Sequence, residues 1–224
     1  MHETPQEPSS EAPVLPADMG WLQTMIYGSR QRYFIAAQSG RVEVVGPPVD
    51  LALRVPEVLL QAAIILTGDR IQEGILVQGV AVAWEEIIRQ LAQDPEFLFK
   101  IDWRKLEEII AGAYQRDGWS EVILTPRSGD GGRDIITTRT DVGAIRFYDQ
   151  VKAFNPGHLV TADDVRAMAG VLYRDQNVSK AIVTTTSRFA PGVFDEWKSF
   201  TPTRLELKEG PQLLEWLQQI RRQK

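Results

Sequence analysis

Apolar residues recur at helical spacing from Trp103 to Arg116. At about 100° per residue, Trp103, Leu106, Ile110, Ala113 and Tyr114 share one face, and the run stops at Asp117-Gly118. Short apolar or alternating runs then predict strands at Glu121 to Leu124, Arg133 to Thr138 and Ala144 to Ala153. A helix over Ala162 to Tyr173, a strand over Ala181 to Thr185 and a short helix near Gly192 to Ser199 follow. A strand over Arg204 to Leu207 and a closing helix from Pro211 complete the chain. The order from Ile101 is α-β-β-β-α-β with additions, which places the fold in the α/β class, a sheet with flanking helices.

The first hundred residues carry a different pattern. Residues 1–18 are rich in Pro, Glu and Ser without apolar periodicity and read as a disordered tail. Tyr33-Phe34-Ile35-Ala36 and Arg41-Val42-Glu43-Val44-Val45 flank Gln38-Ser39-Gly40 and predict a β-hairpin that ends at Gly46-Pro47-Pro48. Apolar runs at Val58 to Thr67 and Gly74 to Val82 are separated by Gly68-Asp69-Arg70, and periodicity leaves the first open between strand and helix. From Trp84, the residues Ile87, Ile88 and Leu91 recur at helical spacing until Asp94-Pro95. The expected organisation is a small β-rich N-terminal domain over 19–83, a connecting helix over 84–100 and an α/β domain over 101–224.

Composition narrows the chemistry. There is no cysteine, and histidine occurs only at His2 and His158, so disulfides, thiolate metal sites and a zinc centre are disfavoured. Any bound metal would take mainly oxygen ligands, as magnesium or manganese does. No run of about eighteen apolar residues and no secretory signal pattern occurs, so no membrane association and a cytoplasmic location are expected. The formal charge of -5 is unevenly spread: residues 1–100 hold 7 basic and 13 acidic side chains, residues 101–224 hold 18 and 17. Charge therefore neither supports nor excludes nucleic acid.

Three local features could carry chemistry. Glu107 lies on the apolar face of its helix, whereas Glu108 points away, and a buried carboxylate must be paired, hydrogen-bonded or metal-bound. A salt bridge to a basic neighbour would satisfy it equally. Arg127-Ser128-Gly129-Asp130-Gly131-Gly132-Arg133-Asp134 is a glycine-rich turn that delivers Asp134 to the start of a strand. A plain hairpin turn with a capping aspartate reads the same way, but a P-loop does not, because Gly-Lys-Ser/Thr and a following helix are missing. In Asp149-Gln150-Val151-Lys152, alternation puts Gln150 and Lys152 on one sheet face and Asp149 and Val151 on the other. An edge strand with a wet polar face is the alternative there.

Glu107, Asp134, Gln150 and Lys152 follow one another as helix, turn-strand and next strand, so their heads can converge across strands about 4.8 Å apart. Leu106-Glu107-Glu108-Ile109-Ile110-Ala111, Gly118-Trp119, Gly129-Asp130-Gly131-Gly132-Arg133-Asp134-Ile135 and Gln150-Val151-Lys152 resemble the catalytic domain of Mrr-like (type IV) restriction endonucleases, a branch of the PD-(D/E)xK nucleases. The resemblance continues through Val165 to Gly170 and Val183 to Phe189. It implies a central mixed sheet flanked by helices and a magnesium-dependent endonuclease acting on DNA, with manganese able to substitute.

By the same resemblance, Asp134 is the metal-binding aspartate and Gln150 stands where most of the superfamily has a second acid. Lys152 is the catalytic lysine, and Glu107 supplements the metal site. Leu106 departs from the more usual Phe, and Asp149 faces away and is not a ligand. His158, Arg166 and Arg188 are the candidate DNA contacts, with surface exposure or a salt bridge as their alternatives. Trp197 and Trp216 are expected in the core. A single site cuts one strand, so double-strand cleavage implies a homo-oligomer. Two further readings stay open: a catalytically silent DNA-binding or assembly module, and an effector whose N-terminal domain senses a trigger.

Overall fold

The computed structural model describes residues 59–126, 132–141 and 143–223, together with three strands in the N-terminal segment. The expected tail at 1–18 and the centre of the glycine-rich turn, 127–131, lie outside the described residues. The chain divides into two units, Met1–Pro47 and Pro48–Lys224.

In the first unit β1 (Thr24–Tyr27), β2 (Arg32–Gln38) and β3 (Arg41–Val45) form an antiparallel sheet in the order β1-β2-β3. The hairpin closes where Gln38 pairs with Arg41, at the turn the sequence indicates. Strand β1 was not legible, because four residues are too short to establish a period.

The second unit is built on a seven-stranded sheet in the order β12-β10-β8-β7-β6-β5-β4. Its members are β4 (Ile65–Ile71), β5 (Gly74–Val80), β6 (Glu121–Leu124), β7 (Ile135–Arg139), β8 (Ile145–Lys152), β10 (Lys180–Thr185) and β12 (Leu205–Lys208). Strands β8, β10 and β12 run parallel, and the β4 to β8 series pairs antiparallel, so the sheet is mixed. A separate parallel pair joins β9 (Leu159–Val160) to β11 (Arg188–Phe189). The helices are α1 (Val82–Gln93), α2 (Trp103–Arg116), α3 (Ala162–Arg174), the short α4 (Val193–Glu196) and α5 (Gly210–Arg222).

The domain boundary expected at residue 83 differs from this arrangement. The hairpin β4-β5 belongs to the large sheet, because β5 pairs with β6 through Ile75 with Leu124 and Leu76 with Ile123. Local pattern identifies a hairpin but not the distant strand that will take its edge. Helix α1 likewise does more than connect. Trp84, Ile87, Ile88 and Leu91 are fully buried, and the Trp84 indole donates to the Ile109 carbonyl at 2.8 Å. Gly112 permits this approach, since a Cβ there would stand 2.7 Å from Trp84 Cδ1. The helix stops as expected at Asp94, whose side chain caps a 3-10 helix, Pro95–Lys100, by accepting from Glu96 N–H.

Register sorts the sheet's two faces. Ile123, Ile136, Tyr148, Ala181 and Leu205 stand opposite one another across five strands and pack in one core with Val165, Met168, Val171 and Leu172 of α3. The neighbouring row, Leu124, Ile135, Asp149, Ile182 and Glu206, points to the other face, toward Tyr114 of α2. Among the described residues no helix is long and apolar enough to cross a membrane.

Candidate active site

Helix α2 begins at Asp102, whose carboxylate accepts from Arg104 N–H at 2.9 Å, and that cap sets the phase that buries Glu107. Glu107 is 2 % exposed, whereas Glu108 is only partly buried and pairs with Lys105 at 2.9 Å. Glu107 Oε2 accepts from Arg104 at 2.7 Å, and the same Arg104 nitrogen donates to the Thr125 carbonyl at 3.0 Å. The buried charge therefore has a cation from its own helix. Arg104 was missed in the sequence although it lies at i-3, a spacing that places charges side by side.

Asp134 is held through its backbone and through one carboxylate oxygen. Its backbone N–H donates to the Asp149 carbonyl, its carbonyl accepts from Thr125 N–H, both at 3.0 Å, and its Oδ2 accepts from Val151 N–H at 2.6 Å. The Thr125 hydroxyl also donates to the Arg133 carbonyl at 2.6 Å, which ties the end of the glycine-rich turn to β6. Gly132, in the left-handed region at φ 84°, closes that turn, and a Cβ on it would stand 3.3 Å from the Gln150 amide nitrogen.

Val151 separates Gln150 from Lys152, so the carboxylate of Asp134 is bonded to the strand at the residue between the two. Glu107, Asp134, Gln150 and Lys152 all line one cavity of about 400 Å³, together with Trp103, Pro126, Gly132 and Phe154. The four residues singled out from the sequence thus meet in space. Gln150 is 9 % exposed, and no donor among the described residues reaches its Oε1. A buried amide oxygen without a donor costs about 1–3 kcal/mol, which a bound cation or donor would recover. Among the described residues no group of three His, Cys, Asp or Glu side chains could hold a metal. A metal in this cavity would draw on two carboxylates and the Gln150 amide oxygen, a hard oxygen set that fits magnesium or manganese.

Lys152 is anchored at both ends. Its carbonyl accepts from Thr186 N–H at 3.2 Å and from the Thr185 hydroxyl at 2.9 Å. Its ammonium lies 3.3 Å from Asp164 Oδ1. Asp164 also accepts from the Thr161 N–H at 2.9 Å and hydroxyl at 2.8 Å, completing the capping box of α3. Burial acts to raise the Asp164 pKa, but the Thr161 bonds and the Lys152 charge outweigh it and hold the carboxyl below its ordinary value. Asp164 was missed, although Thr-x-x-Asp before an apolar run is a legible capping signal.

Asp149 lies on the opposite face, as alternation requires. It is 1 % exposed and accepts from the Tyr114 hydroxyl at 2.8 Å. Burial pushes its pKa up to about 7, opposed by the Lys208 charge and the Tyr114 bond. Burial and the Asp149 charge raise the Tyr114 phenol well above its ordinary value.

Among the candidate DNA contacts, Arg166 pairs with Asp163 and with Glu196, the latter at 3.1 Å, so its guanidinium is shared between two carboxylates. Arg188 is exposed on β11, opposite Leu159. His158 is exposed and its ring lies 4.1 Å from that of Phe154, at the edge of the cavity. Trp103, expected on the apolar face of α2, is 44 % exposed and lines the cavity. Trp197 and Trp216 are partly buried, and Trp197 packs against the core that α3 covers. Trp216 lies under the Lys208 ammonium at 4.0 Å.

Several known proteins and one family are similar to this chain. The Mrr_cat profile, described as a restriction endonuclease, matches residues 98–217. The uncharacterized protein y4cE of Sinorhizobium fredii (strain NBRC 101917 / NGR234) is 23 % identical over 133 residues, which cover 59 % of this chain and 34 % of that protein. Two solved structures are similar to this chain. One is the MspJI restriction endonuclease in complex with a 27-mer oligonucleotide, at 18 % identity and a TM-score of 0.37, covering 61 % of this chain and 30 % of that one. The other is the DNA modification-dependent restriction endonuclease AspBHI, at 17 % identity and a TM-score of 0.41, covering 93 % and 58 %. The chain thus spans about a third of the curated relative it matches. With more than half its length inside the matched profile, the chain belongs to the Mrr_cat restriction endonuclease family.

Proposed function

We propose that the chain is a magnesium-dependent endonuclease that hydrolyses DNA phosphodiester bonds at the cavity between α2, β7 and β8. The observation that carries this reading is Gln150 Oε1, buried without a donor among the described residues, in one cavity with Glu107, Asp134 and Lys152. Asp134, Glu107 and the Gln150 amide oxygen would hold the metal, and manganese would substitute. When bound, that metal supplies Lewis-acid polarisation of a phosphoryl oxygen and a water of lowered pKa.

The residues of the chain have separable tasks. Asp134, locked to Val151 N–H, presents its carboxylate in a fixed orientation, so little reorganisation is needed when a cation arrives. The Arg104 pair balances Glu107 until then. Lys152 orients the attacking water and stabilises the negative charge that builds on the pentavalent phosphorus. Removing one such preorganised donor typically costs about 10²–10³ in rate. The products expected are 5′-phosphate and 3′-hydroxyl ends. His158, Arg166 and Arg188 are assigned as DNA contacts, Arg166 by exchanging its exposed pairs with Asp163 and Glu196 for phosphate.

Restriction of foreign DNA, in anti-phage defence within the cytoplasm, is the setting we propose. One such cavity per chain breaks one strand, so double-strand cleavage would use a homo-oligomer or successive nicks. The three-stranded N-terminal unit is assigned to recognition or assembly. The test is incubation of the full chain with modified and unmodified supercoiled plasmid in magnesium, manganese or EDTA. Metal-dependent nicking that leaves ligatable ends supports the reading, whereas cleavage undiminished by EDTA contradicts it.

A further inference from the structure

Lys152 is held at its far end by a residue outside the catalytic set. Its ammonium lies 3.3 Å from Asp164 Oδ1, while the other oxygen of the same carboxylate accepts from the Thr161 N–H and hydroxyl at 2.9 and 2.8 Å. Both oxygens are therefore committed, and the carboxylate cannot rotate without breaking the N-terminal cap of α3. The lysine backbone is equally constrained, since its carbonyl accepts from Thr186 N–H and the Thr185 hydroxyl on β10. A four-carbon lysine side chain is ordinarily mobile. Here both ends are tied to regular secondary structure, one to β10 and one to α3.

We propose that Asp164 is a positioning residue for the Lys152 ammonium, using the cap of α3 as its rigid mount. The proposal rests on the reading of Lys152 as the group that faces the reacting phosphate. Asp164 itself touches no reacting atom. Its carboxylate fixes where the ammonium stands and opposes its withdrawal into solvent, and a fixed donor acts on the transition state more than on substrate binding. The predicted signature is a fall in kcat with KM for DNA unchanged.

The test uses the full chain, plasmid DNA and magnesium, and compares Asp164→Asn, Asp164→Glu, Thr161→Ala and Lys152→Ala. Asn at 164 can still accept from Thr161, so the cap persists while the charge is removed. Its kcat is expected to fall about 10- to 100-fold, the usual range for an outer group that orients a functional one, with KM and melting temperature little changed. Glu at 164 restores the charge and should recover most of the loss. Thr161→Ala removes the hydroxyl bond but leaves the Thr161 N–H to hold Asp164, so the melting temperature should fall while kcat falls less than in Asp164→Asn. A wild-type kcat in Asp164→Asn beside an inactive Lys152→Ala overturns this proposal alone, as does a kcat loss in Thr161→Ala equal to that of Asp164→Asn. Failure of Asp164→Glu to recover activity also counts against it. Full activity in Lys152→Ala overturns instead the catalytic reading on which the proposal rests.

Discussion

Asp134 Oδ2 accepts a hydrogen bond from the backbone N–H of Val151 at 2.6 Å, and Val151 is the residue between Gln150 and Lys152. One bond thus sets the register of the turn that carries the aspartate against the strand that carries the amide and the ammonium. Asp134→Ala should lose both this bond and magnesium binding. Hydrogen bonds to charged groups contribute about 1.5–3 kcal/mol, and denaturant unfolding should show a loss of that size. In Asp134→Asn the amide oxygen still accepts from Val151, so most of the stability should return without the metal affinity. Equal magnesium affinity in wild type and Asp134→Asn, measured by calorimetry, would remove Asp134 from the ligand set.

Glu107 and Glu108 are chemically identical neighbours with opposite environments, and they should behave differently. Removing one unit charge close to a divalent ion is worth a few kcal/mol at an intermediate dielectric, or about a hundredfold or more in affinity. Glu107→Gln should therefore weaken manganese binding by about that factor, and Glu108→Gln should leave it unchanged. Similar effects of the two substitutions would refute the assignment drawn from the helix face.

Gly132 combines a φ of 84° with a position 3.3 Å, measured from an added Cβ, from the Gln150 amide nitrogen. Ala there pays about 1–2 kcal/mol for the left-handed backbone and also pushes on the Gln150 amide. Gly132→Ala should lower both stability and metal affinity. A variant that loses stability alone would show that the Gln150 amide does not depend on this contact.

The buried Asp149 predicts a pH dependence of stability. Its carboxyl titrates at about 7 in the folded protein against an ordinary value of 3.8, because burial disfavours the charged form. Between those values the native state binds the extra proton, so stability falls as pH rises through the window and is level above it. Asp149→Asn removes this dependence and can still accept from Tyr114. In EDTA, the stability of Asp149→Asn relative to wild type should increase between pH 5 and pH 8. A difference independent of pH would contradict the raised pKa.

The parts of the site that sequence made legible are those governed by a fixed local period. Helical phase separated Glu107 from Glu108, and strand alternation separated Gln150 from Asp149, because each depends only on residues a few positions apart. The family motif added which of these are proposed to carry the chemistry. What could not be read depends on distant pairing. The place of β4 and β5 in the large sheet is decided by β6, and the approach of Asp164 to Lys152 by how α3 returns across β8 and β10. The exposure of Trp103 is similar: its phase on α2 is apolar, yet it lies open at the cavity, which helical phase alone does not reveal.

Lys152 is proposed to act on the reacting phosphate beside a metal site that it does not itself build. The most direct measurement is the initial nicking rate of supercoiled plasmid by Lys152→Ala and wild type at saturating magnesium, with metal affinity measured on the same preparations. A fall in rate of about 10²–10³ or more, at unchanged metal affinity and melting temperature, is the predicted result. Nicking by Lys152→Ala at the wild-type rate would contradict it.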